Sequence, residues 1–219
     1  MVSARTILQL ATIFTAAMTS HMAFSQSIPI PARTPGYLVG PANAPLQITA
    51  YYDLACPDSA AAAPVLNALS TKYGSNLVIR YVILPLPYHI AAFPAAQMSQ
   101  VVASLGGSRS DWTTAIFNAQ TAYFNPVLQG TTPPQLAANL TTLAAAKLGL
   151  SAGALAAGMA NTDLNEAARI EWKSAVAAGV SGTPTFFVNG VLSGAESTWT
   201  EKQWEQLLDP LLGAAHAAP

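Results

Sequence analysis

Charge is what this sequence has least of. Of 219 residues, 9 are Lys or Arg and 10 are Asp or Glu, far below the quarter or so of an ordinary soluble domain. With a formal net charge of −1, no basic field exists to hold nucleic acid or an anionic bilayer, which excludes both as partners. Cysteine is nearly absent: Cys56 stands alone, so the chain has no disulfide framework of its own. Three scattered histidines (His21, His89 and His216) and one cysteine give no metal-ligand spacing, and no zinc site is expected. No Gly-x-Ser-x-Gly elbow surrounds Ser59, which argues against serine hydrolase chemistry. No run of residues repeats at a fixed period, so a solenoid is excluded.

Apolar residues, in contrast, make up 52% of the chain. Part of that sits at the N-terminus, where Arg5 precedes an apolar run from Ile7 to Met18 and the small-residue exit Ala23-Phe24-Ser25. This pattern predicts a secretory signal peptide over residues 1–25, with the mature chain starting near Gln26. The run is short for a bilayer span, and no later stretch is long and apolar enough. The protein is therefore expected to be exported (periplasmic, extracellular or in the secretory pathway) and free of membrane after cleavage. Export usually brings paired cysteines. A single one is either a buried core thiol or an exposed, reactive one, and its local setting decides between them.

Residues 26–45 hold Pro29, Pro31, Pro35, Pro41 and Pro45 and predict an extended, irregular lead-in. Leu46–Tyr52 predicts a buried strand. Pro57 suits the first turn of a helix running through an Ala-rich stretch to Tyr73, kinked at Pro64 and ended by Gly74. Leu77–Leu84 predicts a second strand, stopped by Pro85 and Pro87. Residues 91–178 are helical in character, cut into about four helices at Leu105-Gly106-Gly107, Asn125-Pro126, Thr132-Pro133-Pro134 and Leu148-Gly149. Thr185–Val188 and Val191-Leu192 flank Asn189-Gly190, a strong hairpin signal. A last helix is expected from Thr200 to Leu212, and a disordered tail over 213–219. Strand, helix, strand, helical block, hairpin and helix together predict a mixed α/β sheet with a helical insertion in one domain, residues 46–212.

Cys56 falls at the junction of the first strand and the first long helix. Backbone N–H groups and the positive helix end there favour a thiolate, and a thiolate is the species that attacks disulfides. Asp58 works against it as a nearby negative charge. Asp53 reads either as a proton acceptor for the thiol or as a strand-end carboxylate. His89 beside Pro87 reads as a turn residue. Trp112, Phe117, Tyr123 and Phe124 read as core of the insertion, with a peptide groove as the alternative.

These residues carry a family resemblance. Asp53-Leu54-Ala55-Cys56-Pro57-Asp58-Ser59 resembles the active-site segment of DsbA-like thiol–disulfide oxidoreductases. Gly179-Val180-Ser181-Gly182-Thr183-Pro184-Thr185-Phe186-Phe187-Val188-Asn189-Gly190 is similar to the loop facing that site, and Leu84-Pro85-Leu86-Pro87 with His89 fits the same pattern. The resemblance implies a thioredoxin-like α/β fold, a cis bond at Thr183-Pro184 and a substrate chain resting against that loop. It also implies protein or peptide thiols and disulfides as partners. One position departs from the family: Ser59 stands where the second cysteine belongs. Ser59 cannot resolve a mixed disulfide; it can only hydrogen-bond to the Cys56 sulfur. A dithiol cycle within one chain is excluded, which leaves monothiol exchange or disulfide reshuffling with an outside thiol. No bound cofactor is expected, with glutathione as the candidate co-substrate. A redox-inactive peptide-binding or chaperone module and a glutathione-dependent transferase or isomerase are the competing readings.

Overall fold

A computed structural model describes residues 28–217. The expected signal peptide and its cleavage point lie outside the described residues, as do the last two positions. Five strands form one sheet in the order β1-β3-β2-β4-β5. Its central pair is β2 (Leu46–Tyr52) and β3 (Leu77–Ile83), parallel from Leu46 against Leu77 to Tyr52 against Ile83. Parallel pairing requires a crossover, supplied by helix α1 (Pro57–Tyr73). Strand β4 (Thr185–Val188) runs antiparallel to β2 and turns through Asn189-Gly190 into β5 (Val191–Leu192). Both turn residues have positive φ, 48° and 82°, the combination a two-residue hairpin with native twist requires. Asn189 also docks on β2, accepting the Gln47 N–H through its side chain and donating its own N–H to Gln47 O, both at 2.8 Å.

The stretch expected as irregular lead-in contains a strand. β1 (Tyr37–Val39) pairs antiparallel with β3. Gly36 and Gly40 bracket it at φ +95° and +98°, where a Cβ would collide with the Tyr81 and Leu77 carbonyl oxygens. Glycine is what allows so short a strand to lie flush against its neighbour. At the other end, the last helix runs from Glu201 to Ala217. The tail expected to be disordered from 213 is therefore helical as far as 217. Pro210 and Gly213 do not stop it, and Ala214, Ala215 and Ala217 are strong helix formers.

Between β3 and β4 lie α2 (Ala92–Ser104), α3 (Arg109–Asn118), the short α4 (Asn125–Leu128), α5 (Pro133–Leu148), α6 (Ala152–Met159) and α7 (Thr162–Ala177), with α8 (Glu201–Ala217) closing the chain. The insertion matches its expected span but has more breaks than the expected four helices. The break missed by sequence reading is at Asn161, whose side chain caps α7 by accepting from Asp163 N–H and Leu164 N–H. The proline pair at α5 fits its expected role: Thr132 and Gln135 form a reciprocal capping box just ahead of and inside the first turn.

β2 alternates buried and half-buried positions, so Leu46, Ile48, Ala50 and Tyr52 face the main core. That core holds Leu66 and Leu69 of α1, Trp112 of α3 and Trp204 and Leu208 of α8. A smaller cluster of Val82, Leu84, Leu86, Ala175 and Val180, with Tyr51 and Phe187 against it, lies apart from the main core. β3 is buried along nearly its whole length, as expected of a parallel strand. The chain leaving its end must then run through protein interior, and that is where the site is built.

Candidate active site

Cys56 is the N-cap residue of α1, extended at φ −80° and ψ 123°, with Pro57 in the first helical turn. Its backbone is held from two sides. The Cys56 N–H donates to Asp53 O at 3.1 Å, and buried Gln120 of the insertion donates to the Cys56 and Leu54 carbonyls at 2.9 and 3.3 Å. The thiol donates to Thr183 O at 3.4 Å, and the Thr183-Pro184 peptide is cis. Cys56, Thr183 and Pro184 are thus brought together from opposite ends of the chain.

One expectation is corrected here and two open readings are decided. Cys56 is 5% exposed, so the thiol is buried rather than open to solvent. The reason is the Thr183 loop that covers it. Ser59, fully buried, accepts the Asp53 N–H at 3.3 Å and makes no hydrogen bond to the Cys56 sulfur among the described residues. The hydroxyl has turned inward to satisfy a buried backbone donor, which outweighs a weak contact to sulfur. Asp53 is not bonded to the thiol either. Its Oδ1 accepts Ala55 N–H at 2.8 Å, and its Oδ2 accepts Leu86 N–H at 3.0 Å and pairs with His89 Nδ1 at 2.7 Å. Pro57 and Asp58 lie exposed on the first turn of α1.

His89 is the residue sequence reasoning undervalued. It sits beyond the Pro85–Pro87 stretch, 36 residues from its carboxylate partner, and only the parallel alignment of β2 and β3 brings the two together. Burial pushes the Asp53 carboxyl above its ordinary range, while His89 and the two backbone donors pull it back down without cancelling the rise. Tyr88 packs edge-on against the imidazole at 4.7 Å. Its hydroxyl is pushed up by partial desolvation, and further by Cys56 and Asp53, which places it in the field of both. Asn125 of α4 holds this loop on both sides of His89, accepting Ile90 N–H at 2.9 Å and donating to Tyr88 O at 2.7 Å.

Two concavities meet at His89. One, of about 320 Å³, is lined by Ala55, Pro57, Tyr123, Phe124 and Pro126. The other, of about 500 Å³, is lined by Pro85, Ile90, Phe93, Arg169 and Trp172. Trp112 and Tyr123 are core as expected, with Phe117 packed against them; Tyr123 and Phe124 also wall the smaller concavity. Gln120 carried no sequence signal, since a lone amide in a helical segment looks like any surface glutamine. No cluster of metal-ligating side chains occurs among the described residues, and no helix among them is long and apolar enough to cross a membrane.

A family model described as Thioredoxin matches residues 33–210. The chain belongs to that thioredoxin family. Its fold is that of the DsbA-type proteins. A candidate protein-disulfide isomerase from Pseudomonas syringae superposes with a TM-score of 0.69 at 23% identity, covering 78% of this chain and 96% of that one. Wolbachia pipientis α-DsbA1 superposes at 0.68 and 20% identity, covering 88% and 96%. DsbA2 of Pseudomonas aeruginosa superposes at 0.62 and 22%, covering 83% and 97%. In sequence, the chain is 31% identical over 154 residues to a Na(+)/H(+) antiporter NhaA of Herminiimonas arsenicoxydans. The match takes up 70% of this chain and 22% of that protein, so the thioredoxin-like chain corresponds to a small part of a much longer one.

Proposed function

We propose that this protein is an exported monothiol thiol–disulfide exchange protein acting on protein or peptide disulfides. The observation that carries the reading is the placement of Cys56: at the start of α1, its sulfur 3.4 Å from the backbone oxygen of Thr183, with serine and not sulfur one turn on. A substrate chain lying along Thr183-Pro184 would bring its disulfide against Cys56. Attack by the Cys56 thiolate forms a mixed disulfide and expels the substrate's other sulfur as a thiolate, which takes up a proton. Ser59 has no sulfur to complete the cycle, so an outside thiol, for which glutathione is the candidate, must do so. No bound cofactor takes part. The Arg5-to-Ser25 leader pattern supports export, and the overlap with DsbA-type folds supports the substrate class.

The 5% exposure of Cys56 favours a second reading, a peptide-binding module without redox activity. The two separate on two variants. Ser59→Cys restores a second thiol, and in the exchange reading mixed disulfides with a scrambled test protein accumulate on the native chain but are released by Ser59→Cys. If neither chain forms a mixed disulfide, and peptide binding persists in Cys56→Ala, the binding module is correct.

A further inference from the structure

We propose that His89 accepts the proton of the outside thiol that resolves the mixed disulfide on Cys56, with Asp53 holding its ring. This rests on the monothiol reading: without a resolving cysteine, every turnover needs an incoming thiol, and that thiol must lose a proton before it attacks.

The chemistry of the pair is set by its hydrogen bonds. The Asp53 carboxylate already accepts two backbone N–H groups, and its Oδ2 lies 2.7 Å from His89 Nδ1. A carboxylate cannot donate, so Nδ1 carries the hydrogen and, in the neutral ring, Nε2 carries the lone pair. No partner takes Nε2 among the described residues. The ring side chain is 20% exposed while its carboxylate is fully buried, so the pair presents one free basic nitrogen at the surface. That nitrogen belongs to the residue shared by both concavities, one of which is walled by Ala55 and Pro57, the two neighbours of Cys56. Asn125 grips the chain on either side of the ring, which fixes the imidazole before any ligand arrives. A turn histidine with no function would not need a buried carboxylate, a backbone clamp and an open Nε2 together. A nucleophile, a base and a carboxylate orienting the base form a recurrent arrangement in covalent catalysis; here the nucleophile comes from solution.

In the step itself, the incoming R–SH gives its proton to Nε2 and its sulfur attacks the substrate sulfur of the mixed disulfide. The bond to Cys56 breaks with its electron pair on Sγ, and Sγ takes the proton from the imidazolium. The products are a disulfide between R and the substrate and a free Cys56 thiol. The titratable and charged groups around His89 are Asp53 at the end of β2, Tyr88 beside it, and Tyr123 of the insertion and Arg169 of α7, which line the two concavities with it.

The test loads Cys56 with glutathione from glutathione disulfide, then follows release by reduced glutathione between pH 6 and 9, read by intact mass. In His89→Asn, which keeps an N–H for Asp53, release is expected to slow about 100-fold near pH 6.5, the low end of what a positioned base contributes. The gap is expected to close toward pH 9, where a thiol of ordinary pKa about 8.5 ionises unaided. Added imidazole should restore release in His89→Ala. A variant whose rate runs parallel to the native profile at all pH values, or equals it, overturns the proposal and leaves His89 a structural residue. If Cys56 takes up no glutathione in native chain or variant, the monothiol reading itself fails, an outcome distinct from loading without a His89 effect.

Discussion

Asp53 and Glu171 are both buried carboxylates, and both accept N–H groups from the same stretch of chain, the end of β3 and the loop after it. Glu171, on α7, takes Ile83 N–H at 2.7 Å; Asp53 takes Leu86 N–H at 3.0 Å. They differ in what neutralises them. Glu171 faces Arg109, whose Nη2 reaches both carboxylate oxygens at 3.0 and 2.8 Å, and Gln100 adds a third side-chain hydrogen bond. Arg109 is itself tied to Ser99 and lies over the Tyr37 ring at 5.0 Å. Both Glu171 carboxylate oxygens and the Arg109 Nε and Nη2 donors are engaged there, and the charge on arginine is permanent. Asp53 is instead paired with a titratable, partly exposed imidazole. The first carboxylate locks the insertion to the sheet; the second leaves His89 Nε2 without a partner among the described residues, on a ring that lines a concavity with Ala55 and Pro57.

Breaking the lock should have the largest effect. Glu171→Ala leaves Arg109 buried without its partner, and removing one member of such a pair costs about 3–5 kcal/mol. Urea denaturation is expected to show that loss, while the folded fraction loads glutathione on Cys56 at the native rate. Loading that falls in step with stability would show that the two corners are not separate.

A smaller effect is expected at Asp53. Asp53→Asn turns an amide donor toward either Ala55 N–H or the Leu86 and His89 donors, a cost of about 1–3 kcal/mol. Its pH dependence has a definite sign. Burial raises the Asp53 carboxyl above its unfolded value, so ionising it disfavours folding. That penalty is absent below the unfolded value of about 3.9 and grows as pH rises through the higher folded value. The stability advantage of the native chain over Asp53→Asn is therefore largest in acid and shrinks toward neutrality. An advantage that widens toward neutrality would mean that His89 and the backbone donors outweigh burial.

The sequence made some of this visible and hid the rest for physical reasons. β2, β3 and the hairpin were legible because β-branched runs and Asn189-Gly190 are local signals. The Cys56 and Pro184 segments were legible through family resemblance. β1 was hidden because three residues between prolines have no periodicity of their own and become a strand only by pairing with β3. The Asp53–His89 pair, the Gln120 clamp and the inward turn of Ser59 depend on contacts between residues distant in sequence or on competition for a buried donor. No spacing rule encodes them. The burial of Cys56 was hidden for the same reason, since its cover arrives 127 residues later.

The central claim is that Cys56, although covered, exchanges with disulfides in the folded protein. Intact mass after native incubation with glutathione disulfide tests it most directly. The account predicts one glutathione per chain on Cys56, removable by reduced glutathione and absent in Cys56→Ala. A chain that stays unmodified while folded and is modified only after denaturation would contradict it.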